Sequence, residues 1–247
     1  MTERIIEVAD GFWNIRGVFR IAGFINIGTH ASLVRRNDGS FVLIDSYTLP
    51  DDVLRQVRDL TDQGKDIDAI INVHPFHTIH VESMYQQFPN ARLFGSQRHK
   101  HKAPGLTWQD VDVDDPEMNV LFDDLQFSVP AGVDFISDDP NIHFSSVLVY
   151  HPASKTVHVD DTFNYITLPI VGGFSFHPTL GQALEARPGA TDDFRRWARD
   201  VATRWGDAQN ICAAHNGNLT GIHDFGERVR TALKRSERTL KKHERRL

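Results

Sequence analysis

The sequence predicts an α/β protein built as a four-layer αββα sandwich, with two sheets enclosed between outer helices. Three observations carry that class. Strand-like runs precede helix-like runs twice, once in each half of the chain. The strand-like runs are short and apolar, and turn signals separate them. Polar residues of metal-ligating type sit at their ends: Asp45, the cluster from His74, His143, Asp161 and His215. Side chains scattered in sequence but placed at strand ends can converge on one sheet edge, where open α/β folds build sites.

The elements follow in order. The runs FWNIRGVFRI and GFINIGTHASLVRR lead to Asn37-Asp38-Gly39, a hairpin signal, and SFVLIDS is a strand ending in Asp45. Leu49, Val53, Val57 and Leu60 have helical spacing, with Asp51 and Asp52 in the first turn. DAIINV is the next buried strand, VESMYQQFPN a helix stopped by Pro89, and ARLFGS a strand. In the second half DLQFSVP and VDFIS are strand-like, and HFSSVLVYHPASKTVHVDD reads as two strands joined by the turn at 152–155. Phe194, Trp197, Val201 and Trp205 mark a helix, QNICAAHNGN a strand ending in His215, and residues 221–247 a last helix.

Composition narrows the function. The chain has 247 residues, 40% hydrophobic and 24% charged, with net charge −6. Residues 228–247 hold nine Lys/Arg against two Glu, net +7, so the other 227 residues carry −13. An acidic body disfavours a phosphate-backbone binder, and the basic segment reads as a solvated C-terminal helix beside a 1–227 domain. The single cysteine, Cys212, and the lack of a signal pattern at the start lead to the expectation of a cytoplasmic protein. No run reaches the roughly 20 apolar residues of a membrane helix.

Thirteen histidines, about 5% of the chain, call for an account. Three fall within seven residues, at His74, His77 and His80 in VHPFHTIH. Pro75 suits a first helical position, which would put His77 and His80 on one helical face. Imidazoles suit zinc or iron, whereas magnesium and calcium prefer oxygen. His99, His101 and His151 lie in polar stretches and read as surface. His158 shares a strand face with Asp160, opposite to Asp161, and reads as a packed or exposed strand residue. Cys212 reads as a small buried hydrophobe.

Taken together these stretches resemble the metallo-β-lactamase superfamily over about residues 12–223. That family shows His-x-His-x-Asp-His after an apolar strand, then a His, a Gly-Asp after a strand, and a late His-Gly. INVH matches the strand and first His at His74, NIHFSSVLVY the second segment at His143, VHVDDTF the acid strand at Asp161, and AAHNG the last His at His215. FVLIDS resembles the early strand ending in Asp, here Asp45. The chain departs at HPFHTIH, which has one extra residue between its first two histidines and Ile79 where the motif has Asp.

The resemblance implies an αββα fold of the metallo-β-lactamase type and a metal-dependent hydrolase. It implies a first metal site of His74, His77 and His215 and a second of His80, His143 and Asp161. Zinc or iron is the expected ion, with one tight site and a weak or absent second for want of the motif acid. Asp161 and His177 are the catalytic candidates, His177 on a segment (163–190) that would border the substrate as a lid or pack as a structural loop. The implied partner is a small-molecule ester, thioester, lactone or similar substrate, with self-association left open. A di-iron oxidoreductase and a non-catalytic descendant of the same fold are the rivals.

Overall fold

Apolar alternation and turn chemistry divide the chain into two mixed sheets. The computed structural model describes residues 3–21, 25–166, 173–214 and 217–247. The first half contains β1 (Arg4–Ala9), β2 (Phe12–Gly17), β3 (Arg20–Ile21), β4 (Ile25–Asn26), β5 (Thr29–Arg35), β6 (Phe41–Ile44), α1 (Asp51–Leu60), β7 (Ile67–Ile71), α2 (Val81–Gln87), β8 (Arg92–Phe94) and α3 (Gln97–Lys102). The second contains α4 (Met118–Leu121), β9 (Gln126–Ser128), β10 (Leu148–His151), β11 (Thr156–Val159), β12 (Phe163–Ile166), β13 (Gly173–Phe176), α5 (Leu180–Ala183), α6 (Ala190–Arg204), β14 (Asn210–Ala213), β15 (Gly217–Leu219) and α7 (Phe225–Glu244).

One sheet has the order β1-β2-β5-β6-β7-β8, the other β15-β14-β11-β10-β9. Strands β6, β7 and β8 run parallel, with α1 and α2 in the crossovers, and β11 runs parallel to β14. Three apolar clusters separate four layers. Val53 and Val57 of α1 and Met84 of α2 cover Leu43, Ile70 and Leu93 on the outside of the first sheet. Phe12, Val34, Val42 and Ile71 meet Phe127, Val149 and Cys212 between the sheets. Phe194 and Val201 of α6, with Val229 and Leu233 of α7, cover Val157 and Val159 on the far side. Each such side chain contributes roughly 1.5–3 kcal/mol by leaving water, which makes the layering the main source of stability.

Several expectations change. Residues 133–137 form no strand; Val133 makes only an isolated bridge to Leu184. His143 does not open a strand, because β10 begins at Leu148. Residues 75–80 make turns, and the helix starts at Val81 with His80 as its N-cap. Helix α7 runs unbroken through residue 227 and buries Leu240 completely, so the basic segment is a packed helix. Phe174 and Phe176 are buried in the β12–β13 hairpin and pack on α6 and α7, which makes that part of 163–190 structural. The Gly172-Gly173 pair reads from the sequence as a hinge for a lid, and its first residue lies outside the described residues. Among the described residues no helix is long and apolar enough to cross a membrane.

Candidate metal centre

The inner faces of the sheets are apolar at one end and polar at the other. In the β2–β5 ladder Phe12 faces Val34, Asn14 faces Ser32, and Arg16 faces His30. With period-two alternation, all of these point between the sheets. His158 on β11 and Asp160 just beyond it do the same on the second sheet, so the polar end is capped by the carboxyl ends of β6, β7 and β11.

Two groups of ligand-type side chains meet there. In the first, His74, His77 and Asp161 offer donor atoms within 4.8 Å of one another. His74 follows β7, and its Nε2 lies 3.2 Å from Asp161 Oδ2. The His77 ring stacks on His74 at 4.0 Å, with its Nε2 4.0 Å from the same carboxylate. His74 is fully buried, whereas the His77 side chain keeps 24% exposure and opens the group to solvent.

The second group is His30, Asp45, His158 and Asp160, with donor atoms within 4.8 Å of one another and every side chain buried. His30 Nε2 donates to Asp160 Oδ1 at 3.1 Å, and His158 Nε2 to Asp45 Oδ2 at 3.2 Å. Asn14 Nδ2 donates to His30 Nδ1 at 3.0 Å, and Ser32 Oγ lies 2.9 Å from His158 Nδ1. The two rings stack at 4.2 Å. Burial, and then the neighbouring His158, holds His30 well below its usual range, so it is neutral. Burial, and then the Asp45 charge, pushes the Asp160 carboxyl well above its usual range. Burial also opposes the Asp45 charge, but hydrogen bonds from Asp160 and His158 outweigh it and hold that carboxyl low. One proton therefore stays on Asp160 between the two acids. Its side chains are enclosed, and its hydrogen bonds fit it to support the first group from below.

Asp45 links the groups. It adopts φ of 60°, a left-handed turn that Asp tolerates better than most residues. Its Oδ1 accepts the Val73 amide at 2.8 Å, immediately before His74. Asp160 Oδ1 lies 3.7 Å from His77 Nδ1, while its neighbour Asp161 faces His74. Arg16 spans the sandwich and donates to the Ala213 and Ala214 carbonyls at 2.6 and 2.9 Å, fixing the strand that leads to His215.

The remaining expected residues divide. The His143 ring lies 6.2 Å from His74 and stacks on Phe76 at 4.6 Å, with Nε2 donating to Pro140 O at 2.6 Å. His80 does not join the group. Its Nδ1 meets Thr48 Oγ1 at 2.9 Å and its ring packs edge-on to Tyr47, because the turns at 75–80 do not give His77 and His80 a common helical face. Ile79, expected in the place of the motif acid, points outward at 69% exposure. His177 Nδ1 accepts from Thr179 Oγ1 at 2.7 Å, and its amide donates to Thr162 O at 3.3 Å, beside Asp161. His215 lies outside the described residues.

His99 and His151, read as surface, are both buried. Ser96 and His99 form a capping box on α3, and burial lowers His99 to about 4. His151 packs near Phe12, with Nδ1 2.8 Å from Ser154 Oγ. His158 is a packed residue, as expected, but within a polar network. His30, Asn14 and Arg16 were not singled out from the sequence. Their signal is a polar residue at every second place of otherwise apolar strands. A cleft of about 450 Å³ near Arg35, Arg36, His151 and Lys155 is a separate feature, and its arginines pair with Asp10, Asp68 and Asp124.

His74, His77 and Asp161 suit a zinc or iron ion. Two imidazoles and a carboxylate are fitting donors, and His74 Nε2 is buried without a hydrogen bond. The 3.2 Å separation of His74 and Asp161 donors matches the roughly 3.3 Å edge of a tetrahedron with bonds of about 2.0 Å. The Phe76 amide lies 3.1 Å from His74 Nδ1 and orients the ring; a metal on Nε2 would take the neutral tautomer with its proton on Nδ1, so loading would displace that contact.

Comparison with solved structures gives the fold. FIM-1 metallo-β-lactamase from Pseudomonas aeruginosa, in its mono-zinc form, superposes with TM-score 0.62 and 16% identity over 96% of each chain. A metallo-β-lactamase from Erythrobacter litoralis gives 0.62 and 15%, over 94% of this chain and 96% of that one. One from Hirschia baltica gives 0.61 and 14%, over 97% and 98%. The chain has the metallo-β-lactamase fold. No family model and no curated protein matches it. In this αββα frame the group His74, His77 and Asp161 occupies the edge where both sheets end.

Proposed function

We propose that the chain is a metal-dependent hydrolase acting on an ester, thioester, lactone or similar small-molecule bond through a metal-activated water. The observation that carries this reading is the meeting of His74, His77 and Asp161 at the carboxyl ends of parallel strands. The metallo-β-lactamase fold supports it. A bound zinc or iron would lower the pKa of a water from 15.7 toward about 7 and polarise the scissile carbonyl or phosphoryl oxygen.

The chain's own residues have separate tasks in this reading. His74, His77 and Asp161 would hold the ion, with His143 beside them and His215 as a further ligand. The Asp161 carboxylate would orient the attacking water by accepting its hydrogen bond. Phe76 and His143, stacked at 4.6 Å, would form one wall beside the reacting bond. Asp45 and the buried pairs beneath keep His74 and Asp161 in place. His177 would act from the edge, through Thr162. A single metal fits best, because His80 and Ile79 turn away from the position a second ion would need. A small acyl substrate, a cytoplasmic setting and no nucleic-acid partner complete the reading.

The test is elemental analysis of protein purified without chelators, followed by ester, thioester, lactone and phosphodiester substrates. Turnover that chelation abolishes and added zinc restores is expected. Iron with visible absorption and no hydrolysis would favour the oxidoreductase. Protein without metal, and without thermal stabilisation by added zinc or iron, would leave the non-catalytic descendant.

A further inference from the structure

We propose that Arg98 is an anion-recognition residue at the mouth of this site, so that the substrate carries a carboxylate or phosphate group. The substrate claim rests on the hydrolase reading above; the binding claim is testable without it.

Arg98 lies in α3, just after β8, and is half-buried. Its guanidinium sits 4.3 Å over the Phe76 ring. Phe76 stacks on His143, and the His143 ring lies 6.2 Å from His74. A single ladder of rings therefore connects the cation to the candidate metal ligand. The stack also sets the plane of the guanidinium and reduces the freedom that a bound anion must remove.

Among the described residues, exposed arginines such as Arg55, Arg199 and Arg238 also have no ion pair, but Arg98 is half-buried and still has no counter-charge. Arg36 pairs with Asp124 and Asp68, Arg92 with Asp68, and Arg195 with Asp192, Glu237 and Glu244. Lys100, two residues on, pairs with Asp112 at 2.7 Å. Among the described residues no carboxylate lies within 4.0 Å of Arg98, and its Nε is buried without a hydrogen bond. The body around it is acidic, so acids are not scarce. A partly buried donor without an acceptor is unfavourable unless a ligand supplies one. A planar guanidinium matches the two oxygens of a carboxylate or phosphate. Stacking on Phe76 alone would satisfy a structural role, and the test separates the two.

The experiment compares wild type, Arg98→Ala and Arg98→Lys on butyryl and succinyl thioesters, which differ by a methyl against a terminal carboxylate, and on a 3-phosphonopropionyl thioester. Arg98→Ala should raise KM for the anionic substrates about tenfold or more, about 1.4 kcal/mol per factor of ten. KM for the butyryl thioester, kcat and metal content should stay unchanged. Arg98→Lys should restore part of the loss. Whichever anionic thioester is the better substrate names the oxyanion. Equal changes on neutral and anionic substrates, or none, would overturn the proposal while leaving the hydrolase reading intact. If wild type hydrolyses no thioester, calorimetric titration with succinate and with inorganic phosphate decides. Binding that weakens tenfold in Arg98→Ala supports the proposal; equal or absent binding overturns it.

Discussion

Replacing Asp45 tests how the fold holds the site. In Asp45→Ala the Val73 amide and the His158 Nε2 proton both lose their acceptor in a buried place. An unsatisfied buried donor costs about 1–3 kcal/mol. The left-handed φ of 60° adds about 1 kcal/mol for alanine over aspartate. Together the loss is about 5 kcal/mol, a large share of the roughly 5–15 kcal/mol that stabilises most folded proteins. Asp45→Asn behaves differently. Its carbonyl still accepts the Val73 amide, asparagine tolerates the left-handed turn, and its NH2 group, in place of Oδ2, donates to His158 Nε2 once that ring carries its proton on Nδ1 toward Ser32 Oγ. The expected loss is about 1 kcal/mol. Equilibrium urea unfolding at pH 7 reads both variants. Val73 precedes His74, so Asp45→Ala should also weaken zinc binding about 10- to 100-fold, in the range seen when a group behind a metal ligand is removed. An alanine variant within 0.5 kcal/mol of wild type, or an asparagine variant as unstable as alanine, would refute this reasoning.

Three further predictions follow from packing and titration. Leu240→Ala should cost about 3 kcal/mol, since the side chain is fully buried, and deletion of 236–247 should cost more because Glu237 and Glu244 pair with Arg195. Zinc content should be unchanged in whatever folds, because α7 packs on α5, α6 and β13; unchanged stability, or lost metal in a folded variant, would contradict it. His99, lowered to about 4 by burial, binds its proton more weakly folded than unfolded. Stability should therefore fall as pH drops from about 6.5 to about 4, by up to about 3 kcal/mol, and His99→Gln should flatten that slope in urea titrations. Burial pushes Cys212 up to about 12, so native protein should resist a thiol reagent that labels it fully in urea; rapid native labelling would show the inter-sheet core is open.

Much of the fold was legible because apolar runs and turn residues act locally. SFVLIDS, DAIINV and LPDDVLRQVRDL carry periodicity that burial between layers enforces, and all three form the expected elements. Strand-end placement also pointed to Asp45, His74 and Asp161, since carboxyl ends of parallel strands share an edge. The loop at 75–80 was not legible. Pro75 permits a helix start, but Thr48 on His80 and His143 on Phe76 hold the segment in turns, and both contacts come from distant sequence. His99 shows the same limit: its neighbours Arg98, Lys100 and Lys102 look solvated, while Gly95 lets α3 pack so closely that a Cβ there would lie 3.0 Å from His99 Cβ. His30 was missed for a different reason: the alternation of His30 and Ser32 marks a polar face of β5 but carries no mark of the partners waiting across the sandwich.

The central claim is that His74, His77 and Asp161 hold a metal and His80 does not. Elemental analysis of protein purified without chelators, in wild type and in His74→Ala, Asp161→Ala and His80→Ala, tests it most directly, with circular dichroism confirming that each variant is folded. About one zinc or iron per wild-type chain is expected, lost in His74→Ala and Asp161→Ala and kept in His80→Ala. Metal-free wild type, or metal that leaves with His80 and stays without His74, would contradict the account.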